Sequence, residues 1–313
     1  MKRLVISFFL ILTAFLFFVV LYNKNKIKEY SKTYSYFNGI NMKVYTNKNI
    51  KNIFSEIEQI LKKYELLTSR TLKYENNIYS INKNEYTKIP NELYELLLFG
   101  QEVYNKTNGY ININKGNITD IYEKSKDQKI RPIYNNMVEK VVIENNQIKG
   151  NNINIDLEPI LKLYIGNIIK EKLESNNITS YIINMGSSSI IGNSMDEFTV
   201  GIEKPYSNTF DYIAILKLKN VSMSTVGPYQ NYYTINEKIY HNLINLKTLK
   251  QVDNYQSITV VSKDPLEAQI LSYYLYFLSI DEGKEILKEY SAEAIWYKDN
   301  KIELTDGIKN YQK

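Results

Sequence analysis

Apolar residues recur at helical spacing along several stretches of the chain. Ile50, Ile53, Phe54, Ile57, Ile60, Leu61 and Tyr64 form one stripe and predict a helix over 47–67. Pro90 opens a second helix over 91–106, which Asn108-Gly109 closes. Further helices are predicted at 158–174, 265–278 and 281–290. Short runs rich in Ile, Val, Thr and Tyr predict strands at 40–45, 181–184, 199–202, 213–218, 221–224 and 257–261. Two hairpins are expected, one pairing 141–144 with 153–155 across an Asn/Gly turn, the other pairing 294–297 with 301–304. Residues 115–138 show no period and read as irregular. There is no internal repeat and no linker rich in Gly, Pro or Ser. The pattern predicts one mixed α/β (α+β) body.

The N-terminus departs from this pattern. Residues 4–22 are nineteen uncharged residues, long enough to cross a bilayer as a helix. They end in Val-Val-Leu-Tyr rather than in the small residues of a cleavage site, so an uncleaved anchor is expected over 1–23. A polar tether over 24–35 follows, and the body occupies 36–313. Lys2 and Arg3 flank one side, and Lys24, Lys26, Lys28 and Lys32 the other, so the Lys/Arg count does not set the orientation. The three-residue tail before the apolar stretch favours a single-pass protein of the cell membrane with an extracytoplasmic body.

Composition removes several kinds of chemistry. There is no cysteine, hence no disulfide framework, thiolate metal site or cysteine nucleophile. Beyond residue 23 the chain carries 37 basic and 34 acidic residues, too even a balance to predict a nucleic-acid partner. The excess of Asn, Lys, Ile and Tyr reads as a base-composition bias and points to no function. One histidine remains, His241, within Lys-Ile-Tyr-His-Asn-Leu-Ile-Asn-Leu-Lys-Thr-Leu-Lys. No Gly-rich phosphate loop, histidine metal pair or Ser-His-Asp set accompanies it.

Six stretches nevertheless stand out. They are Ile155-Asp156-Leu157-Glu158-Pro159-Ile160-Leu161-Lys162, Ile183-Asn184-Met185-Gly186-Ser187-Ser188 and Val200-Gly201-Ile202-Glu203-Lys204-Pro205, then Ser224-Thr225-Val226-Gly227-Pro228-Tyr229, the histidine segment, and Ser257-Ile258-Thr259-Val260-Val261. In this order and at these separations they resemble the bacterial FAD:protein FMN transferases, the ApbE or thiamine-biosynthesis lipoprotein family. The resemblance runs from about Phe37 to Leu304. It includes Gly39, an Ile78 to Asn82 segment similar to "SEIxxIN", and a Thr107 to Asn112 segment similar to "TxGxFD".

The resemblance implies a flavin-transferase fold and a protein outside the membrane that binds FAD with magnesium. It also implies transfer of FMN to a Thr or Ser hydroxyl of an extracytoplasmic acceptor protein. Carried over position by position, the implied cofactor contacts are Asp156, Lys162, Asn184, Gly186, Thr225, Gly227, Tyr229 and Thr248. The chain departs from the pattern at the centre of this chemistry. "LGxxxKG" keeps Lys162 but has Glu158 and Leu163 for the glycines. "NxGG" keeps Asn184 and Gly186. "TSGDYER" keeps Thr225, Gly227 and Tyr229. In "HIIDPKTG", Lys247 and Thr248 fix the register, so Asn242 takes the histidine position, Leu249 the Gly position, and His241 falls one residue early, facing the other way on an extended segment. The "ADALATA" helix has Gln269 and Tyr273 where the family's metal-binding Asp and Thr stand. No metal ligand set is therefore predicted, and a magnesium site is doubtful.

Each feature also has a plainer reading. Lys162 fits a snorkelling lysine. Asp156 fits a helix cap. Thr225, Gly227 and Tyr229 fit a tight turn, and Gln269 with Tyr273 fits a hydrogen-bonded helix face. Two functions follow from the sequence: a transferase with impaired or lost activity, or a catalytically degenerate, membrane-tethered binding or scaffold protein. A flavin-binding protein without transfer is a third.

Overall fold

The computed structural model describes residues 26–186, 189–193, 196–207, 209 and 211–311. The anchor expected at 4–22 lies outside the described residues. Among the described residues no helix is long and apolar enough to cross a membrane.

The first third of the body comprises β1 (Lys28–Tyr34), β2 (Ile40–Thr46), α1 (Lys51–Thr68), α2 (Ile78–Asn82), α3 (Asn91–Lys106) and α4 (Gly116–Gln128). The small strands β3 (Val142–Glu144) and β4 (Gln147–Lys149) precede α5 (Glu158–Ser175). Then come β5 (Tyr181–Asn184), β6 (Ser189–Asn193), β7 (Phe198–Glu203), β8 (Tyr212–Leu218) and β9 (Ser222–Val226). Four short strands follow: β10 (Tyr232–Ile235), β11 (Lys238–His241), β12 (Ile244–Asn245) and β13 (Lys250–Gln251). The chain closes with β14 (Ser257–Ser262), α6 (Pro265–Tyr276), α7 (Ile280–Leu287), β15 (Ala292–Lys298) and β16 (Lys301–Leu304).

Eight strands form one sheet in the order β1-β2-β5-β6-β9-β14-β15-β16, antiparallel throughout. Strand β2 shows why: Ile40, Met42, Val44 and Thr46 alternate inward while the residues between them face out. Those side chains pack on Ile53, Ile57 and Leu61 of α1 and on Leu163, Ile165 and Ile169 of α5. The central strands β9 and β14 are buried on both faces. Ile258, Val260 and Val226 meet Leu271 and Leu275 of α6, whereas Val261 and Met223 meet Leu216 and Leu218 of the β7–β8 hairpin. The body is thus a mixed α/β fold, with α5 and α6 packed side by side on one face of the sheet.

Three local expectations are corrected. Residues 28–34 of the supposed tether form edge strand β1, paired with β2 from Lys28↔Thr46 to Tyr34↔Ile40. Tyr30 and Tyr34 alternate onto the core, while the lysines suit an unpaired edge. Residues 142–144 pair with 147–149 instead of 153–155. Asn145 and Asn146 both adopt positive φ, 49° and 61°, as a two-residue hairpin turn requires. Finally, the region read as irregular contains helix α4. Its buried side is only Gly116, Ile118, Tyr122 and Ser125, too thin a stripe to register as a period.

Candidate functional site

The freed segment 153–156 runs between α4 and α2. Asn154 N–H donates to Asn114 Oδ1 (2.8 Å), Ile155 N–H to Asn82 Oδ1 (2.6 Å) and Asp156 N–H to the Ile113 carbonyl (2.7 Å). Arg70 braces the same place, donating to the Ile155 carbonyl (3.1 Å), the Gly116 carbonyl (3.0 Å) and Asn154 Oδ1 (3.0 Å). Asp156 is delivered, buried, to the start of α5. Its Oδ1 accepts the Glu158 N–H (3.0 Å), an Asx turn, and its Oδ2 accepts the Thr119 hydroxyl (2.5 Å). Burial would raise the Asp156 pKa. Lys115, Arg70 and these hydrogen bonds outweigh it and hold the carboxyl below the usual aspartate range.

Glu158 faces outward from the same turn. Its Oε2 accepts from Lys115 Nζ (3.0 Å) and its Oε1 from the Tyr273 hydroxyl (2.5 Å). Lys115 Nζ also stands 3.9 Å from Asp156 Oδ2. Burial works to lower the Lys115 pKa, but Glu158 and Asp156 more than reverse it. The Tyr273 phenol is pushed well above its ordinary value of 10.0 by burial and by Glu158, so it stays a donor.

Gln269 is buried, and both ends of its carboxamide are engaged. Oε1 accepts the Leu163 N–H (2.7 Å) and Nε2 donates to the Pro159 carbonyl (2.9 Å). That donor and acceptor are four residues apart on α5, the two ends of one helical rung. The carboxamide of α6 therefore spans a rung of α5 and ties the two helices together. These residues do not fit a magnesium ion. Magnesium needs charged oxygens in near-ideal octahedral geometry. The two implied ligand positions instead offer a neutral amide already bonded at both ends and a protonated phenol donating to Glu158. Among the described residues no group of three or more His, Asp or Glu could hold a metal ion.

One turn further along α5, Lys162 is half-buried and points toward the β5–β6 turn. A Cβ added to Gly186 would lie 3.7 Å from its Nζ and 3.8 Å from the Gly39 carbonyl. Gly186 has φ +94° and takes the Asn184 side-chain oxygen on its N–H (3.0 Å). Lys162 makes no hydrogen bond or ion pair with a described residue. Burial lowers its pKa, with the Glu158 charge acting in the opposite direction.

The remaining implied residues lie elsewhere. Thr225 is buried on β9, hydroxyl to hydroxyl with Thr259 at 2.9 Å. Gly227 has no room for a side chain, since a Cβ would meet the Gln256 carbonyl at 2.6 Å and the Tyr229 ring at 2.6 Å. Tyr229 joins Tyr206 and Tyr232 in a surface hollow of about 330 Å³. Thr248 is exposed on the β12–β13 turn, closing it through its N–H to the Asn245 carbonyl (3.2 Å). Leu249 of this turn, at the family's Gly position, adopts φ +56° all the same.

Just before this turn, His241 and Asn242 have different surroundings. Both His241 nitrogens are engaged: Nε2 lies 2.9 Å from Asp253 Oδ1, and Nδ1 accepts the Leu243 N–H at 3.2 Å. Neither is available to a substrate. Asn242 faces a cavity of about 30 Å³ lined also by Lys115, Thr119, Pro159, Tyr273 and Phe277. Tyr110 walls this cavity off from an open groove of about 720 Å³, with Lys247 Nζ 4.0 Å from its ring centroid and Phe277 stacked beside it. The inner cavity has room for little more than a water. A flavin ring enters only if Tyr110, Tyr273 or Phe277 moves.

The structure thus gathers Asp156, Lys162, Asn184 and Gly186 near the start of α5. It leaves Thr225, Gly227 and Tyr229 at the end of β9, and Thr248 on an outer turn. Sequence reasoning missed Lys115, Thr119 and Arg70. No local period marks Lys115, since residues 111 to 114 are all buried and form a turn rather than an alternating strand.

Several comparisons bear on the ancestry of this arrangement. The FAD:protein FMN transferase of Buchnera aphidicola from Schizaphis graminum is 26% identical over 91% of this chain and 91% of its own length. That of Klebsiella pneumoniae is 27% identical, but over only 43% of this chain and 42% of that protein. Among solved structures, the Thermotoga maritima ApbE protein superposes with a TM-score of 0.78 at 17% identity, over 91% of this chain and 100% of that one. The apo flavinyl transferase ApbE of Pseudomonas stutzeri gives 0.73 at 15% identity, over 90% and 95%. At such identities the structures establish a shared fold. The ApbE family model itself matches residues 36–296, and the chain therefore belongs to the ApbE family, the FAD:protein FMN transferases.

Proposed function

We propose that this chain engages FAD weakly and without magnesium, and that its transfer of FMN to a Thr or Ser of a partner protein is impaired or lost. The observation that carries this reading is the commitment of Gln269 to the Pro159 carbonyl and the Leu163 N–H. A divalent cation bound there would supply the counter-charge for the FAD pyrophosphate and the Lewis acid for the transferring phosphoryl group. With that position filled by an amide, neither is provided. Lys162 remains as a cation for a phosphate, and Gly186 keeps the backbone open beside it. We place the body outside the cell membrane, held by an anchor at 4–22, on the uncharged length of that segment.

The deciding experiment is incorporation of FMN into a Thr-containing acceptor peptide by the unmodified protein. None, or a trace indifferent to magnesium, is expected. Clear magnesium-dependent incorporation sinks the reading. The double variant Gln269→Asp with Tyr273→Thr should gain magnesium-dependent FAD binding, since it returns a carboxylate and a small hydroxyl to one helix face.

A second reading, a tethered binding or scaffold protein without flavin chemistry, is favoured by the small size of the inner cavity. FAD binding by the wild-type chain, seen as quenching of flavin fluorescence, separates the two.

A further inference from the structure

Glu158 is an unusual surface carboxylate. Its side chain is 47% exposed, yet its two oxygens draw donors from two other elements, Lys115 before α4 and Tyr273 of α6. A third cation, Lys162, stands one turn along α5 and senses the same charge. The donors are less exposed than the acceptor: the Lys115 side chain is only 12% exposed and lines the inner cavity together with Tyr273. An ordinary surface ion pair contributes little. Here a largely sequestered ammonium and a phenol that stays protonated converge on one half-exposed anion. Asp156 would still compensate Lys115 if Glu158 were absent. Glu158 is also exposed enough to swing into water.

We propose that Glu158 is a built-in anion that occupies an oxyanion subsite, and that a phosphate-bearing ligand reaches Lys115, Tyr273 and Lys162 by displacing it, with no metal. Phosphate oxygens accept from an ammonium and a hydroxyl as carboxylate oxygens do, and with more charge to offer. The donors supply the counter-charge that the engaged Gln269 denies to magnesium. The inference rests on the reading that this cleft takes FAD, but concerns only the phosphate end, so it can be tested apart from flavin.

Inorganic pyrophosphate is titrated calorimetrically into the full-length chain in magnesium-free buffer. Glu158→Gln keeps the side-chain length and an acceptor for Tyr273 while removing the charge. It should bind pyrophosphate at least about tenfold tighter than wild type, a difference of about 1.4 kcal/mol. Adding Lys115→Gln to that variant should abolish the gain. If Glu158→Gln melts well below wild type, Glu158→Ser is read in its place. An affinity unchanged within about twofold, or a gain that survives loss of Lys115, overturns the proposal. FAD is titrated into the same proteins. Pyrophosphate that follows Glu158 in a chain that ignores FAD upholds the subsite and removes the flavin reading. FAD bound by a chain whose pyrophosphate affinity ignores Glu158 does the reverse.

Discussion

Two neighbouring parts of α5 use their polar groups in opposite ways. At its first turn the polar groups are already paired with one another or with the backbone. Asp156 takes Thr119 and the Glu158 N–H, Glu158 takes Lys115 and Tyr273, and Gln269 bridges a helical rung. One turn later Lys162 projects beside Gly186 with no hydrogen bond or ion pair to a described residue, and its pKa is lowered by burial. In the first arrangement the groups satisfy one another, as buried polar networks must, so a ligand reaches them only by displacing one of their number. The second has capacity left for a ligand. One half is absorbed into the packing of α5 against α6, so changes in the two halves should separate stability from binding.

The largest effect is expected where the absorption is most complete. Gln269→Ala leaves the Pro159 carbonyl and the Leu163 N–H facing a cavity. Leaving buried backbone groups unpaired costs roughly 1–3 kcal/mol each, partly recovered if the rung closes on itself. A loss of about 2–4 kcal/mol in unfolding free energy is expected by denaturant titration. A loss under about 0.5 kcal/mol, the size of a neutral surface change, would show that Gln269 is dispensable to the fold and break the contrast.

Lys162→Met should do the opposite. It removes a half-buried ammonium without a bonded partner among the described residues and keeps the aliphatic stem, so stability should stay within about 0.5 kcal/mol of wild type or rise. FAD affinity, read by flavin fluorescence, should fall about tenfold, the loss expected for one charge-assisted contact to a phosphate. Equal FAD affinity would mean that Lys162 is a snorkelling lysine and holds no flavin phosphate.

The contrast also marks what was legible in the chain. The stripe of α1, the alternation of β2 and the buried runs of β9 and β14 were readable because apolar side chains repeat at the period of the element that buries them. Helix α4 was not, since Gly116 and Ser125 stand in half of its buried positions. Strand β1 was masked by lysines that a sheet edge tolerates. Asp156, Lys162, Asn184 and Gly186 were singled out only through resemblance, and so were the positions of Gln269 and Tyr273. The network around Glu158 and the bridge made by Gln269 were not readable. Lys115 and Glu158 are 43 residues apart, and Glu158 and Tyr273 are 115 apart. A network assembled from three elements leaves no local pattern, and an amide spanning a rung of another helix leaves none either.

The smallest effect belongs to His241, a third group spent on the fold. Burial depresses its pKa below the ordinary 6.5, and Asp253 acts only in part against this. Nδ1 already accepts the Leu243 N–H, so protonation there would cost a hydrogen bond as well as a buried charge. Above pH 6.5 the ring is neutral in both the folded and unfolded chain and favours neither. Below it the unfolded chain binds the proton first, so stability falls from pH 6.5 down to the folded value. Tyr206 and Tyr276 lie near Asp253 but remain protonated throughout this range, so Asp253 is the group to vary. Melting temperatures between pH 7.5 and 5 should drop more steeply for wild type than for His241→Gln, which cannot titrate, and most steeply for Asp253→Asn, which loses the opposing charge. Parallel curves for wild type and His241→Gln would place the folded pKa at its unfolded value. The ring would then have to be open to water, with a nitrogen free to exchange protons, and His241 would return as a candidate acid/base.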